Sequence, residues 1–309
     1  MSCRIGIVGY GKIAQDQHVP SIEGEPRFAL AATVSRGGNG REGVACFTGH
    51  EAMIEAGGID AVAICTPPSA RYAIARDCIA AGLHTLLEKP PGVTLGEVEA
   101  LARLAREAGV SLFTTWHSQH NAAVSKAARI LEKRTIARME IVWREDVRTW
   151  HPGQQWIWAP GGFGVFDPGI NALAIASRIF PGPLIVRAAE LFFPQNRDTP
   201  IAAALEFASP AAEGPLTAAF DWRHSGGEAW TIAIRTADGE EIELRDGGAR
   251  LFRGGAEVEG PGIGEYPDIY RRFGDLIEKG ESHVDVEPLR LTADAFLAGK
   301  RTIVEPFED

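Results

Sequence analysis

Arg4-Ile5-Gly6-Ile7-Val8-Gly9-Tyr10-Gly11-Lys12-Ile13-Ala14 decides the fold. Its first five residues read as a buried strand. Gly9 to Ala14 then form a G-x-G-x-x-A turn that opens a helix-length segment. In such a turn the first glycine permits a tight bend and the second lets the backbone approach a pyrophosphate. The small third residue lets the helix pack close to the strand. The helix start presents N–H groups and the positive end of its dipole to phosphate. Gly9, Gly11, Lys12 and Ile13 are therefore candidate cofactor-binding residues. The motif is weak alone, but here it stands between a strand and a helix.

Working outward, residues 28–34 read as the second strand. A dinucleotide fold specific for NAD usually ends this strand with Asp or Glu for the ribose 2′-hydroxyl. This chain has Ser35-Arg36, a hydroxyl and a guanidinium that suit a 2′-phosphate. NADP is therefore expected to bind at least as well as NAD; an ordinary exposed loop arginine is the alternative.

Residues 61–65 are a continuous apolar run, as in a strand buried on both faces, and end in Thr66-Pro67-Pro68. A helix over 70–81 stops at Gly82. The next strand, 84–87, delivers Glu88-Lys89-Pro90-Pro91. Thr94-Leu95-Gly96-Glu97 is a capping box for a helix with Val98, Leu101, Leu104, Ala105 and Ala108 on one face. A further strand, 110–114, ends in Thr115-Trp116-His117. This repeated strand–turn–helix pattern argues for a parallel, doubly wound sheet. Ligands collect at the carboxyl ends of such strands, which makes Thr66, Pro67, Pro68, Glu88, Lys89 and His117 candidates. Lys89, on a turn stiffened by two prolines, is also a candidate for chemistry. The plainer reading of Glu88-Lys89 is a surface pair before a helix.

After Asn121 the character changes. A helix over 123–133 leads into a strand at 137–143. Extended segments then follow at 186–193, 202–207, 216–222, 230–236, 240–245 and 249–252. Asp238-Gly239 and Asp246-Gly247-Gly248 are hairpin turns, and helices at 266–279 and 287–298 close the chain. The expected fold is α/β: an N-terminal Rossmann dinucleotide-binding domain, 1–118, plus a C-terminal α+β domain, 119–309, with an open, mostly antiparallel sheet.

Two segments of this second half look chemical. Residues 143–158 hold four tryptophans, Trp143, Trp150, Trp156 and Trp158, among ionisable groups and without clean periodicity. Tryptophan faces stack on sugar C–H groups, while carboxylates and amides take hydroxyls. A loop pinned by aromatic anchors is the alternative. The second segment is Gly161-Gly162-Phe163-Gly164-Val165-Phe166-Asp167-Pro168-Gly169-Ile170-Asn171. Asp167-Pro168 reads as N-cap and first position of a helix through Ile179, with Asn171 on the same face. A helix start favours negative charge, so a cap and a general base are compatible roles for Asp167.

Composition bounds the rest. The 309 residues are 45% hydrophobic and 23% charged, with a net charge of −10. Such a chain supports a large core without staples. The negative charge disfavours nucleic acid or an anionic membrane as the main partner. Cys3, Cys46, Cys65 and Cys78 form no C-x-x-C pair and no Cys/His metal pattern, so no metal site is expected. Met1-Ser2-Cys3-Arg4 runs straight into a strand, so no leader is expected. No apolar stretch approaches a membrane span. A cytoplasmic location fits.

G-x-G-x-x-A, T-P-P, E-K-P and G-G-x-x-x-x-D-x-x-x-N, in that order along the whole chain, resemble the glucose–fructose oxidoreductase/inositol dehydrogenase/MocA family. The resemblance implies a Rossmann domain followed by an open-sheet domain, and oxidation or reduction of sugar and polyol carbons with NAD or NADP. Carried over, it makes Lys89, Asp167 and Asn171 the catalytic set. Asp167 would be the acid/base group, and Lys89 would reach the reacting hydroxyl and the nicotinamide ribose. Many members have His where this chain has Asn171. That Asn, with Glu145, His151 and the Trp-rich segment, is similar to a branch that oxidises the anomeric hydroxyl of D-galactose or L-arabinose to a lactone. The likeness implies sugar contacts from Lys89, His117, Glu145, Trp150, His151, Asp167, Asn171 and Trp230, with Ser35 and Arg36 at the 2′-phosphate. A homodimer through the C-terminal sheet is also implied. Another sugar, polyol or dihydrodiol dehydrogenase, or a non-catalytic NADP sensor, are the alternative functions.

Overall fold

The computed structural model describes residues 2–308. The chain divides into two compact units, Met1–His117 with Gly264–Val286, and Ser118–Ile263 with Glu287–Asp309. The first boundary falls within a residue of the expected 118/119. The return of 264–286 to the first unit departs from the expected assignment of all of 119–309 to a second domain. The cause is apolar: Tyr266, Ile269, Tyr270, Phe273 and Leu276 are buried in the first unit's core.

In the first unit, β1 (Cys3–Val8) is followed by a helical stretch with a π-helical turn at Ala14–His18 and α1 (Val19–Gly24). Then come β2 (Phe28–Val34), β3 (Ala45–Phe47), α2 (His50–Ala56), β4 (Ala61–Ile64) and α3 (Pro68–Ala80). β5 (His84–Leu87), α4 (Leu95–Ala108) and β6 (Leu112–Thr114) complete the N-terminal run. The strands form one six-stranded sheet in the order β3-β2-β1-β4-β5-β6, with every pairing parallel.

Neighbouring residues of a strand face opposite sides. Ile5, Ile7, Ala61, Ala63 and Leu86 accordingly pack under the helix after β1 and the returning segment. Val62, Ile64 and Leu87 pack on the other face with Ala75, Ile79, Leu101 and Ala105 of α3 and α4. A sheet covered on both faces is what the uninterrupted apolar runs require. The capping box of α4 forms as read: Thr94 Oγ1 accepts from the Glu97 N–H at 3.3 Å and Glu97 Oε2 accepts from the Thr94 N–H at 3.3 Å.

The second unit opens with α5 (Ala122–Leu131), β7 (Ile136–Arg144) and α6 (Val147–Trp150). A 3-10 turn, Gln155–Trp158, precedes α7 (Phe166–Ile179). Then follow β8 (Ile185–Pro194), β9 (Ala202–Ala208), β10 (Leu216–Asp221), β11 (Ala229–Thr236), β12 (Glu241–Arg245), β13 (Arg250–Arg253) and β14 (Ala256–Glu259). After α8 (Glu265–Lys279) has visited the first unit, α9 (Glu287–Ala298) and β15 (Gly299–Val304) end the second. The nine-stranded sheet has the order β14-β13-β12-β11-β7-β10-β9-β8-β15. Only β7/β10 and β8/β15 pair in parallel, so the sheet is mostly antiparallel. β3, β14 and β15, all at sheet edges, are absent from the sequence reading.

One face of this sheet is apolar: Met139, Ile141 and Trp143 of β7, Phe220 of β10, and Ile232 and Ile234 of β11 are buried, and α7 and α9 pack against β7, β8 and β11. The alternate residues Arg138, Glu140, Arg235 and Glu241 are exposed. This is the pattern of an antiparallel sheet with one face left to solvent or to a partner.

Candidate active site

The glycine turn sits at the carboxyl end of β1. Gly9 has φ +95°, and a Cβ there would lie 2.8 Å from the Thr66 nitrogen, so only glycine suits this bend. A Cβ built on Gly11 would meet nothing within 4 Å, leaving open space above that backbone. Lys12 is exposed and pairs with Asp16, and Ile13 is 39% exposed. At the end of β2, Ser35 is half-buried and Arg36 exposed. Thr66 follows β4; its Oγ1 is buried without a hydrogen-bond partner among the described residues. Pro67 is exposed, and Pro68 is buried as the first residue of α3. A dinucleotide fits these residues: an open backbone cradle at Gly11, an unanswered buried hydroxyl at Thr66, and a guanidinium where the second strand ends.

Lys89 follows β5, half-buried, and the Lys89–Pro90 bond is cis. Beneath it lies a polar network that the sequence does not announce. Glu88, read as a cofactor contact, turns its carboxylate into the core at 3% exposure. Oε1 accepts from the Tyr266 hydroxyl at 2.7 Å and faces His18 Nε2 at 3.1 Å; Oε2 accepts the Lys89 N–H at 2.8 Å. His18 Nδ1 lies 2.7 Å from the Tyr270 hydroxyl. Arg71, also buried, donates to the carbonyls of Thr66 (2.8 Å), Glu88 (2.5 Å) and Pro90.

The charges in this network are coupled. Burial opposes the charged form of His18, yet Cys65, Tyr270 and Glu88 around it raise it well above the ordinary imidazole value. Burial likewise opposes the Glu88 carboxylate, and His18, His117 and Arg71 overcome that and hold it far below the ordinary carboxylate range. The pair is therefore an ion pair. Burial pushes the Tyr270 phenol up to about 12. His117 is raised: burial opposes its charge, but Glu265, with Oε2 2.7 Å from Nδ1, outweighs it. The His117 ring also stacks on Tyr266 at 5.8 Å. Residues of α8 thus touch both Glu88 and His117.

In the second unit the Gly-rich segment sets the start of α7. A Cβ on Gly162 would lie 2.1 Å from the Trp156 carbonyl oxygen, so the chain passes there only as glycine. The expected N-cap role of Asp167 needs correction: Val165 is the N-cap, and Asp167 is the second residue of the helix, with its N–H on the Gly164 carbonyl at 2.8 Å. The helix begins two residues earlier than Asp-Pro alone suggests. Asp167 is 4% exposed, in the first turn, where helix N–H groups favour negative charge. Its Oδ2 lies 3.3 Å from His151 Nε2. Asn171 lies one turn further along α7, half-buried.

Trp143, Trp230 and Trp150 form an aromatic tier: Trp143 and Trp230 stack at 5.7 Å, and Trp150, 47% exposed, lies tilted over Trp230 at 5.5 Å. Glu145, read as a sugar contact, is buried under it. Its two oxygens accept from the Trp222 indole at 3.1 Å and the Trp230 indole at 2.9 Å. Trp222 in turn lies edge-on to His151 at 5.3 Å. The carboxylate therefore orients both the aromatic tier and the histidine beside Asp167. The second unit gathers Glu145, Trp150, His151, Asp167 and Trp230 into one neighbourhood, and the first gathers Glu88, Lys89 and His117.

His18, Arg71, Trp222, Tyr266 and Tyr270 are the residues that sequence reasoning misses. The signal for most of them is indirect: a carboxylate at the end of a strand buried on both faces needs a buried donor.

A glycine turn at the end of a first parallel strand, an open phosphate cradle and a lysine at the end of β5 define an NAD(P)-dependent oxidoreductase. The chain belongs to the oxidoreductase family with an NAD-binding Rossmann fold (GFO/IDH/MocA), which residues 3–116 match. It is 45% identical over 307 residues to the galactose 1-dehydrogenase of Pseudomonas fluorescens, covering 99% of each chain. It is similar to the crystal structure of a D-galactose-1-dehydrogenase from Rhizobium etli, with TM-score 0.94 and 49% identity over 100% of this chain and 99% of that one. The 3-ketoreductase KijD10 of Actinomadura kijaniata, solved with NADP and TDP-benzene, shares the fold at TM-score 0.82 and 18% identity, covering 98% of this chain and 100% of that one.

Proposed function

We propose that the protein is an aldose 1-dehydrogenase that oxidises the anomeric hydroxyl of D-galactose, and of sugars sharing its ring configuration such as L-arabinose, to the lactone. The observation that carries this reading is the 45% identity, end to end, with a galactose 1-dehydrogenase. Bound nicotinamide supplies the hydride acceptor. The residues of this chain do the rest. Asp167 removes the proton of the anomeric hydroxyl. The Lys89 ammonium stabilises negative charge developing on that oxygen, which makes a metal unnecessary. Asn171, His151 and His117 orient hydroxyls, and the exposed face of Trp150 beside Trp230 receives the C–H face of the ring.

A spectrophotometric assay with a panel of aldoses and either cofactor tests the proposal. Reduced nicotinamide is expected with D-galactose, and no signal with any sugar would overturn the reading in favour of a sensor. Ser35 and Arg36 support NADP at the 2′-phosphate end. Arg36→Ala is expected to raise KM for NADP by roughly ten- to a hundredfold, as loss of a charge-assisted hydrogen bond does, with KM for NAD little changed. An equal effect on both cofactors would remove Arg36 from phosphate recognition. The exposed sheet face around Arg138, Glu140 and Glu241 supports a homodimer, which light scattering measures. The acidic net charge and unpaired cysteines support a cytoplasmic enzyme; among the described residues no helix is long and apolar enough to cross a membrane.

A further inference from the structure

The main chain on both sides of Lys89 is tied down by buried charged and phenolic groups. The Lys89 N–H is held by Glu88 Oε2 at 2.8 Å, and Glu88 Oε1 is held by Tyr266 and His18 at 2.7 and 3.1 Å. The carbonyls that flank the lysine, those of Glu88 and Pro90, both accept from Arg71 Nη1. Arg71 Nε also holds the Thr66 carbonyl at 2.8 Å, which joins the Thr66-Pro67-Pro68 turn to the lysine turn. These partners come from four places in the sequence: the helix after β1, α3, the end of β5 and α8.

Such an arrangement is an expensive way to gain stability. Buried ion pairs can often be replaced by well-packed apolar side chains with no loss. Their distinguishing property is geometric, because a satisfied buried network permits one arrangement. Here the arrangement it fixes is that of the backbone carrying a reactive lysine. A displacement of about 1 Å at a reacting group can cost on the order of a hundredfold in rate.

We propose that Tyr266, His18 and Arg71 are positioning residues that set the placement of Lys89, acting through Glu88 and the turn at 88–90 without touching substrate. The inference rests on Lys89 acting in the oxidation proposed above. These side chains touch the main chain on either side of Lys89, and what they set is the position of its ammonium. Tyr266 is the informative member, because its ring also stacks on His117 while its hydroxyl alone reaches Glu88.

A double-mutant cycle between Tyr266→Phe and Lys89→Ala tests this. Tyr266→Phe keeps the ring and its packing and removes one hydroxyl. In the enzyme with Lys89 intact, kcat is expected to fall about tenfold, while KM for sugar stays within about twofold. NADP binding, followed by tryptophan fluorescence in the absence of sugar, stays near wild type, and the thermal midpoint falls by only a few degrees, the cost of one hydrogen bond to a buried carboxylate. In the Lys89→Ala background the same substitution leaves the residual kcat unchanged, since its route to the chemistry is gone. Arg71→Lys, which keeps the charge and loses the guanidinium fork, follows the same pattern. Wild-type kcat in Tyr266→Phe, or an equal fold loss in both backgrounds, overturns the positioning role. Wild-type kcat in Lys89→Ala alone overturns the catalytic role of the lysine itself, and with it the inference, so the two failures are told apart by one arm of the cycle.

Discussion

Asp167→Ala lowers kcat with D-galactose by on the order of 10²- to 10⁴-fold, the usual contribution of a positioned general base, with a modest change in KM. The anomeric proton must leave as hydride leaves, and Asp167 supports that role by its place in the first turn of α7, its burial and its contact with His151. The His151 ring lies between two acceptors, Asp167 Oδ2 at 3.3 Å and Gln154 Oε1 at 3.4 Å. The carboxylate is thereby held in one orientation. Because the loss falls on a transition-state interaction, kcat and kcat/KM drop together. Stopped-flow and steady-state kinetics of the purified variant measure this, and a kcat within threefold of wild type would exclude Asp167 as the base. Asp167→Asn keeps the side-chain shape and is expected to fall into the same range, which separates lost basicity from lost packing.

Glu88→Ala destabilises the folded protein by roughly 3–5 kcal/mol, the cost of leaving a buried charge without its partner. Here the abandoned charge is the imidazolium of His18, with no exposure. The dependence on pH follows from the two directions of shift. The folded value of Glu88 lies below its ordinary 4.5, so its contribution is full above 4.5 and is lost as pH falls through the lowered folded value. The folded value of His18 lies above its ordinary 6.5, so its contribution is full below 6.5 and is lost as pH rises through the raised folded value. Between 4.5 and 6.5 both contributions are complete, and the variant's deficit is largest there. Urea titrations of both proteins across that window measure it. A deficit below about 1 kcal/mol would mean that His18 gives up its proton once Glu88 is gone. Removing His18 and Glu88 together costs less than the sum of the single losses, since neither charge is then stranded.

These two carboxylates show what a sequence discloses. Asp167 was legible as a candidate because Asp-Pro marks a helix start locally, within a few residues. Its error, a cap assignment displaced by two residues, arises because Gly164 and Val165 begin the helix through backbone bonds that leave no side-chain signature. Glu88 and Glu145 are charged residues in segments that look like turns, and both read as ligand contacts. Their partners arrive from far along the chain: Tyr266 is 178 residues from Glu88, and Trp230 is 85 from Glu145. No local pattern encodes such a meeting.

The parallel sheet was legible for the opposite reason. A strand covered on both faces is apolar along its buried length, as all of β4 is, with Ile5–Val8 of β1 and Leu86-Leu87 of β5. The short edge strand β3, with its exposed residues, and the half-polar β15 carry no such run. The membership of α8 in the first unit was hidden as well, since its apolar face would suit either core.

That membership bears on how the protein is made. The cofactor-binding unit is interrupted in the gene by the residues 118–263 of the other unit. Until a ribosome has extended the chain past residue 276, Ile5, Ile7, Phe28 and Phe113 lack the Tyr266, Ile269, Tyr270, Phe273 and Leu276 that cover them. The Glu88 carboxylate likewise waits for its tyrosine. The nascent sheet therefore spends most of its synthesis with part of one apolar side uncovered, and strands β7 to β14 of the second unit emerge before the first unit can close.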